Sequence, residues 1–200
     1  MSDWTQNSAL DAHRQGAQKA RLESSGLCIR ELPPSAKLLL QARGNPEAIG
    51  RAVYPVLGFD LPARPNTSVT GNPAVLWMGP RKWLIILDSP NGRELQHQLE
   101  TAMFGIPNLV SDLSDARVGI EASGAMARTV LARVCALDLD SCSFGPGQCA
   151  QSLLARVPLL LHQVDEAPTY HLYLDRSLAT YAWEWLSDAA GEFISQSAVT

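Results

Sequence analysis

The sequence is short of the features that announce chemistry. It holds four cysteines, Cys28, Cys135, Cys142 and Cys149, and no CxxC pair. The last three fall seven residues apart, a spacing that matches no common zinc site. They read as free thiols, buried or half-buried, because free cysteine behaves as a small hydrophobe. No apolar run reaches the roughly eighteen residues that a membrane-spanning helix needs. The N-terminal stretch MSDWTQNSALDAHRQGAQKARLESSG lacks the apolar centre of a secretory signal. A cytoplasmic protein is therefore expected, and disulfides are not. GxGxxG, Walker A and GxSxG are all missing, so phosphate-loop nucleotide binding and nucleophile-elbow hydrolysis have no support. Gly145-Pro146-Gly147 is no phosphate cradle either, since Pro146 has no amide to donate. Nor is there a basic excess. The net charge of −4 argues against nucleic acid as the main partner.

Titratable residues are present without converging. His13, His97, His162 and His171 are scattered. His97 lies between Gln96 and Gln98 on an expected helix and reads as exposed. His162 and His171 end or alternate within strands and read as surface or satisfied residues. Asp112, Asp115, Asp138 and Asp140 lie near loops, where capping and solvation account for them. An enzyme usually needs positioned acids, bases or a cofactor. No such set is legible, which favours a binding or structural role.

What is present is a core. Of 200 residues, 46% are hydrophobic and 18% charged, enough for one domain or two small halves. Residues 1–25 are polar and read as a flexible arm with Trp4 at its tip; 26–190 read as a single domain and 191–200 as a tail. Strands are expected over 27–32 and 36–42. Asn45 then caps a helix with Pro46 at its first position, running to about Leu57 and closed by Gly58; Pro55 should fray it. AVLWM-GPRK-WLIIL reads as a β-hairpin turning at Gly79-Pro80, its strands so apolar that both faces should be covered. A helix over 93–104 follows, then strands at 109–113 and 117–121. A helix opened by Ser123 buries Ala127, Val130, Leu131 and Val134. Strands at 148–155, 158–163 and 170–174 precede a last helix over 178–190. Two similar α+β halves emerge, about 26–104 and 109–190. On the last helix Trp183 and Trp185 point to roughly opposite sides, one toward the core and the other toward a partner or solvent. With Trp4 they are the candidate partner-interface residues. No catalytic, cofactor-binding or metal-ligating residue stands out.

One resemblance joins these pieces. SGLCIREL, RPNT, LWMGPRKWLIIL, VSDLSDARVGIEASGAMARTVLARVCALDLDSCSF, PGQCAQSLLARVPLLL and YHLYLDRSLATYAWEWL resemble, in order and spacing over 26–188, the gamma subunits of heterotetrameric sarcosine oxidases. The second half also resembles the folate-binding fold of the glycine-cleavage aminomethyltransferase. The resemblance implies an α+β folate-binding-domain fold of two intertwined βαβ-type halves. It implies a subunit without its own cofactor, partnered by alpha, beta and delta subunits, alpha foremost. It implies that those subunits carry FAD, FMN, NAD, tetrahydrofolate and zinc, and that the complex demethylates sarcosine to glycine. Neither membrane nor nucleic acid enters that picture. Two alternatives are a stand-alone folate-binding aminomethyltransferase-like protein and an unrelated α+β adaptor.

Overall fold

The computed structural model describes residues 8–11 and 20–195. Its strands are β1 (Arg21–Ser24), β2 (Leu27–Glu31), β3 (Lys37–Ala42), β4 (Ser68–Val69), β5 (Ala74–Gly79) and β6 (Lys82–Ile86), followed by β7 (Asn108–Asp112), β8 (Arg117–Ser123), β9 (Cys149–Leu154), β10 (Val157–Asp165) and β11 (Thr169–Asp175). The helices are α1 (Pro46–Leu57), α2 (Arg93–Ala102), α3 (Ala127–Val134) and α4 (Ala179–Ser195). The chain divides into two compact units. Pro34–Ser114 forms the middle unit; the residues up to Pro33 join those from Asp115 onward in the outer unit.

The middle unit is a split βαβ fold. Its sheet runs β4-β5-β6-β3-β7, all pairs antiparallel. Leu38, Leu40 and Ile85 of the sheet meet Ile49 and Val53 of α1 and Leu99 of α2 in one apolar core. Each such side chain, fully buried, contributes about 1.5–3 kcal/mol. The α1 start is as the sequence dictates: the Asn45 side chain accepts the Glu47 amide at 2.9 Å, and Pro46 needs no partner for a missing N–H. Gly58 closes the helix at φ 82°, its amide bonding the Tyr54 carbonyl. Pro55 does not shorten the helix as expected. The carbonyl it leaves unbonded belongs to exposed Arg51, where water can satisfy it. The β5–β6 hairpin turns through Pro80-Arg81, with Arg81 at φ 59°. Buried residues run consecutively along β6, so both of its faces are covered, as its unbroken apolar sequence required.

The outer unit repeats this plan with its order changed. Its sheet runs β1-β2-β8-β11-β10-β9. Here β8, α3, β10, β11 and α4 take the places that β3, α1, β5, β6 and α2 hold in the middle unit. The final strand, which β7 supplies there, comes instead from β2 at the other end of the chain. The fold is thus α+β with two intertwined halves. Ile29, Ile120 and Leu172 of this sheet pack with Leu131 of α3 and Trp183 and Leu186 of α4.

Further sequence-based expectations change: α4 runs on to Ser195, into the 191–200 stretch expected to be a tail. Ser123 does not cap α3; it is the last residue of β8, still paired with Cys28 and Thr169. Gly124 at φ 100° turns the chain, and the helix starts at Ala127 without a side-chain cap. A strand also precedes Leu27: β1, inside the polar stretch, whose Leu22 and Ser24 are half-buried. Its mixed composition hid the pairing with β2.

Candidate functional site

Three candidate surfaces stand out among the described residues. The first is a polar row across the outer sheet. Strand register aligns Arg30, Glu121, His171, His162 and Cys149 on successive neighbours β2, β8, β11, β10 and β9. Residues opposed in register share a face. Arg30 grips Glu121 with two parallel bonds, Nε to Oε1 and Nη2 to Oε2, each 2.8 Å. His171 Nε2 lies 3.6 Å from Glu121 Oε2, and its Nδ1 is 3.3 Å from the Tyr173 hydroxyl. The His162 and His171 rings meet edge to face at 6.2 Å between centroids.

Burial sets the charges in this row. His162 is 3% exposed and its Nε2 has no hydrogen-bond partner among the described residues. Burial, with His171 beside it, pushes its pKa down to about 4. Burial lowers His171 as well, against the opposing pull of Glu121. Burial alone would raise Glu121; the Arg30 fork reverses this and holds the carboxyl below its ordinary value. At neutral pH the row is one ion pair followed by two neutral imidazoles. His162 is therefore neither the surface nor the satisfied residue expected of it, while His97 is exposed as expected.

The second surface is a groove of about 890 Å³ in the middle unit. Trp77 and Trp83 line it, between α1, the 60–63 segment and the Pro80-Arg81 turn. The Trp83 indole donates to the Pro62 carbonyl at 2.8 Å, which fixes its ring. Arg51, Arg81, Glu47 and Asp60 stand around it, all exposed. Among the described residues none of these four side chains forms an ion pair. Sequence reasoning missed this groove, because nothing local brings Asp60 and Arg81 to one lining.

The third surface is α4. Helical geometry separates its two tryptophans as expected: Trp183 is 3% exposed and Trp185 43%. Trp183 is thus corrected to a core residue. Trp185 stacks obliquely on Tyr181, one turn earlier, with centroids 6.2 Å apart. Trp4 lies outside the described residues.

The remaining candidates are local. Asp138 and Asp140 accept the backbone amides of Asp140 and Cys142, and Asp112 that of Ser114. Loop capping therefore accounts for them. The Gly145 and Gly147 amides are taken by Gln148 and the Gln163 carbonyl. None of the four cysteines is in a disulfide: Cys28 is half-buried, Cys135 and Cys149 are buried, but Cys142 is exposed, because it sits on the capped loop. Among the described residues no three metal-ligating side chains converge, and no helix is long and apolar enough to cross a membrane.

Comparison with known proteins gives one answer. The model of the "Sarcosine oxidase, gamma subunit family" matches residues 42–192. A sarcosine oxidase subunit gamma from Arthrobacter sp. is 36% identical over 157 residues, 76% of this chain and 75% of the relative. Among solved structures, a chain of the heterotetrameric sarcosine oxidase from Corynebacterium sp. U-96, in complex with pyrrole 2-carboxylate, superposes with a TM-score of 0.81 at 28% identity, over 94% of this chain and 95% of its own. The glycine cleavage system aminomethyltransferase T from Bartonella henselae follows at TM-score 0.59 and 15% identity, over 78% of this chain and 44% of its own, a likeness of fold. On the family match and the 36% identity over most of both chains, the chain belongs to the sarcosine oxidase gamma subunit family.

Proposed function

We propose that this chain is the non-catalytic, structural gamma subunit of a heterotetrameric sarcosine-oxidase-type complex. The observation that carries this is the likeness to a chain of one such heterotetramer over nearly the whole of both chains. In this reading alpha, beta and delta subunits are its partners, with alpha the main contact. Those partners hold the FAD, FMN, NAD, tetrahydrofolate and zinc, and the assembly works in the cytoplasm. It demethylates sarcosine to glycine, with oxygen reduced to hydrogen peroxide and the methyl carbon released as formaldehyde or passed to tetrahydrofolate. The chain contributes folded surface. The Tyr181–Trp185 pair suits that part: large rings already held against each other bury much area at little entropic cost.

The polar row supports a structural role as well. Both imidazoles are driven toward the neutral form, and His162 is only 3% exposed. The stand-alone folate-binding alternative is not favoured. The likeness to the aminomethyltransferase, at 15% identity, is one of fold, whereas the gamma-subunit likeness spans nearly the whole chain.

The test is purification of this chain, tagged, from its own cells. It should bring down a flavoprotein in constant ratio, with sarcosine-dependent peroxide formation. Recovery of the chain alone, free of flavin, sinks the reading.

A further inference from the structure

We infer that the Trp77–Trp83 groove receives an extended segment of a fellow subunit, one that carries a proline or aromatic anchor between an acidic and a basic residue. The inference rests on the chain's being a subunit of the proposed complex and says where a partner segment enters.

The groove is built before anything occupies it. Trp83 is locked by its bond to Pro62, and the walls include Pro46 and Pro80, which have few conformations to lose. The turn that carries Arg81 is also fixed, because the Arg81 carbonyl accepts the Ala42 amide at 3.0 Å. Covering such a surface costs little ordering entropy. Tryptophan, proline and arginine around an apolar floor make a surface suited to extended, proline-bearing chain.

The rim says which chain. A small molecule is held by polar groups that converge inside a pocket. Here the charged groups stand at the exposed edge, two cations and two anions, with no side-chain ion pairs of their own among the described residues. Such a rim complements neither a polyanion nor a polycation. A segment with one charge of each sign satisfies Arg51 or Arg81 on one side and Glu47 or Asp60 on the other. Its apolar anchor then covers the indoles. This is an interface centre ringed by polar groups.

The experiment uses the assembled complex. Ala63, exposed on the rim, is replaced by a photoreactive residue (Ala63→p-benzoylphenylalanine) in a chain co-expressed with the other subunits. Gln98 on α2, exposed and outside the groove, carries the same group as a control. Irradiation should join position 63, and not position 98, to one stretch of another subunit bearing an apolar residue between opposite charges. Adding Arg51→Glu with Arg81→Glu should cut that yield at least tenfold while circular dichroism shows the fold kept. An intact complex in which position 63 reaches no other subunit overturns this inference alone. So does a cross-link to a stretch without that charge pair, or a small molecule retained in the groove by native mass spectrometry. Failure of the wild-type chain to join any flavoprotein overturns the functional reading with it.

Discussion

His162 occupies a place where a proton is unwelcome, and this gives the fold a pH dependence of known sign. Its pKa falls from 6.5 in the unfolded chain to about 4 in the folded one. Between those values the unfolded state binds the proton and the folded state does not. Stability is therefore full above about pH 6.5 and is lost as pH falls toward 4, by on the order of 3 kcal/mol in all. Urea unfolding at pH 7.5 and pH 5 should show the loss, and His162→Gln should flatten it. Equal losses in both proteins would assign the effect to His171, also lowered from 6.5 and acting in the same direction; Glu121, lowered from 4.5, adds its loss only at more acid pH. Gly124 is constrained differently. Its φ of 100° is one that side chains rarely adopt, and an added Cβ would stand 2.5 Å from the Gly26 carbonyl oxygen. Gly124→Ala should cost about 2 kcal/mol or more, seen as a lower thermal midpoint. A neutral result would mean that the β8–α3 turn can relax.

At the scale of elements, α4 serves two purposes on two sides. Ala182, Trp183, Leu186 and Ala190 face the core, whereas Tyr181 and Trp185 remain exposed. Trp183→Ala should cost about 3–5 kcal/mol, the price of a large cavity. Trp185→Ala should change stability by no more than about 0.5 kcal/mol, yet weaken co-purification with the partner subunits. If it leaves assembly untouched, the exposed face of α4 is not the contact. Elements such as this were legible because their signals are local. Asn45, Pro46 and Gly58 bracket α1, and Gly79-Pro80 marks the hairpin. Ser123 misled because its residue type says cap while its ladder partners Thr169 and Cys28, 46 and 95 residues away in sequence, keep it in the strand. The polar row was invisible for the same reason. Alternation told that His171 and Glu121 each shared a face with their own neighbours, but only register puts Arg30, Glu121, His171 and His162 in line.

At the scale of the molecule, the order of folding units differs from the order of the chain. The outer sheet is completed by β2, which is separated from its partner β8 by the whole middle unit. Glu31 at the end of β2 also holds Ser8 and the Ala9 amide, and Leu10 beside them is fully buried. Removing residues 1–33 would therefore strip β8 of its neighbour at Cys28–Glu31 and take Leu27 and Ile29 out of the outer core. An exposed central strand with unpaired amides exchanges hydrogen and recruits other strands. Hydrogen–deuterium exchange on a chain begun at Pro34 should show Arg117–Ser123 losing protection, while β3 and β6, paired wholly within Pro34–Ser114, keep theirs. Supplying residues 1–33 as a separate peptide should restore protection along β8, because the missing piece is a strand and its register is written in both edges. Unchanged exchange at β8 after truncation would mean that the sheet closes without β2 and that the intertwining of the two halves is not what holds the outer unit together.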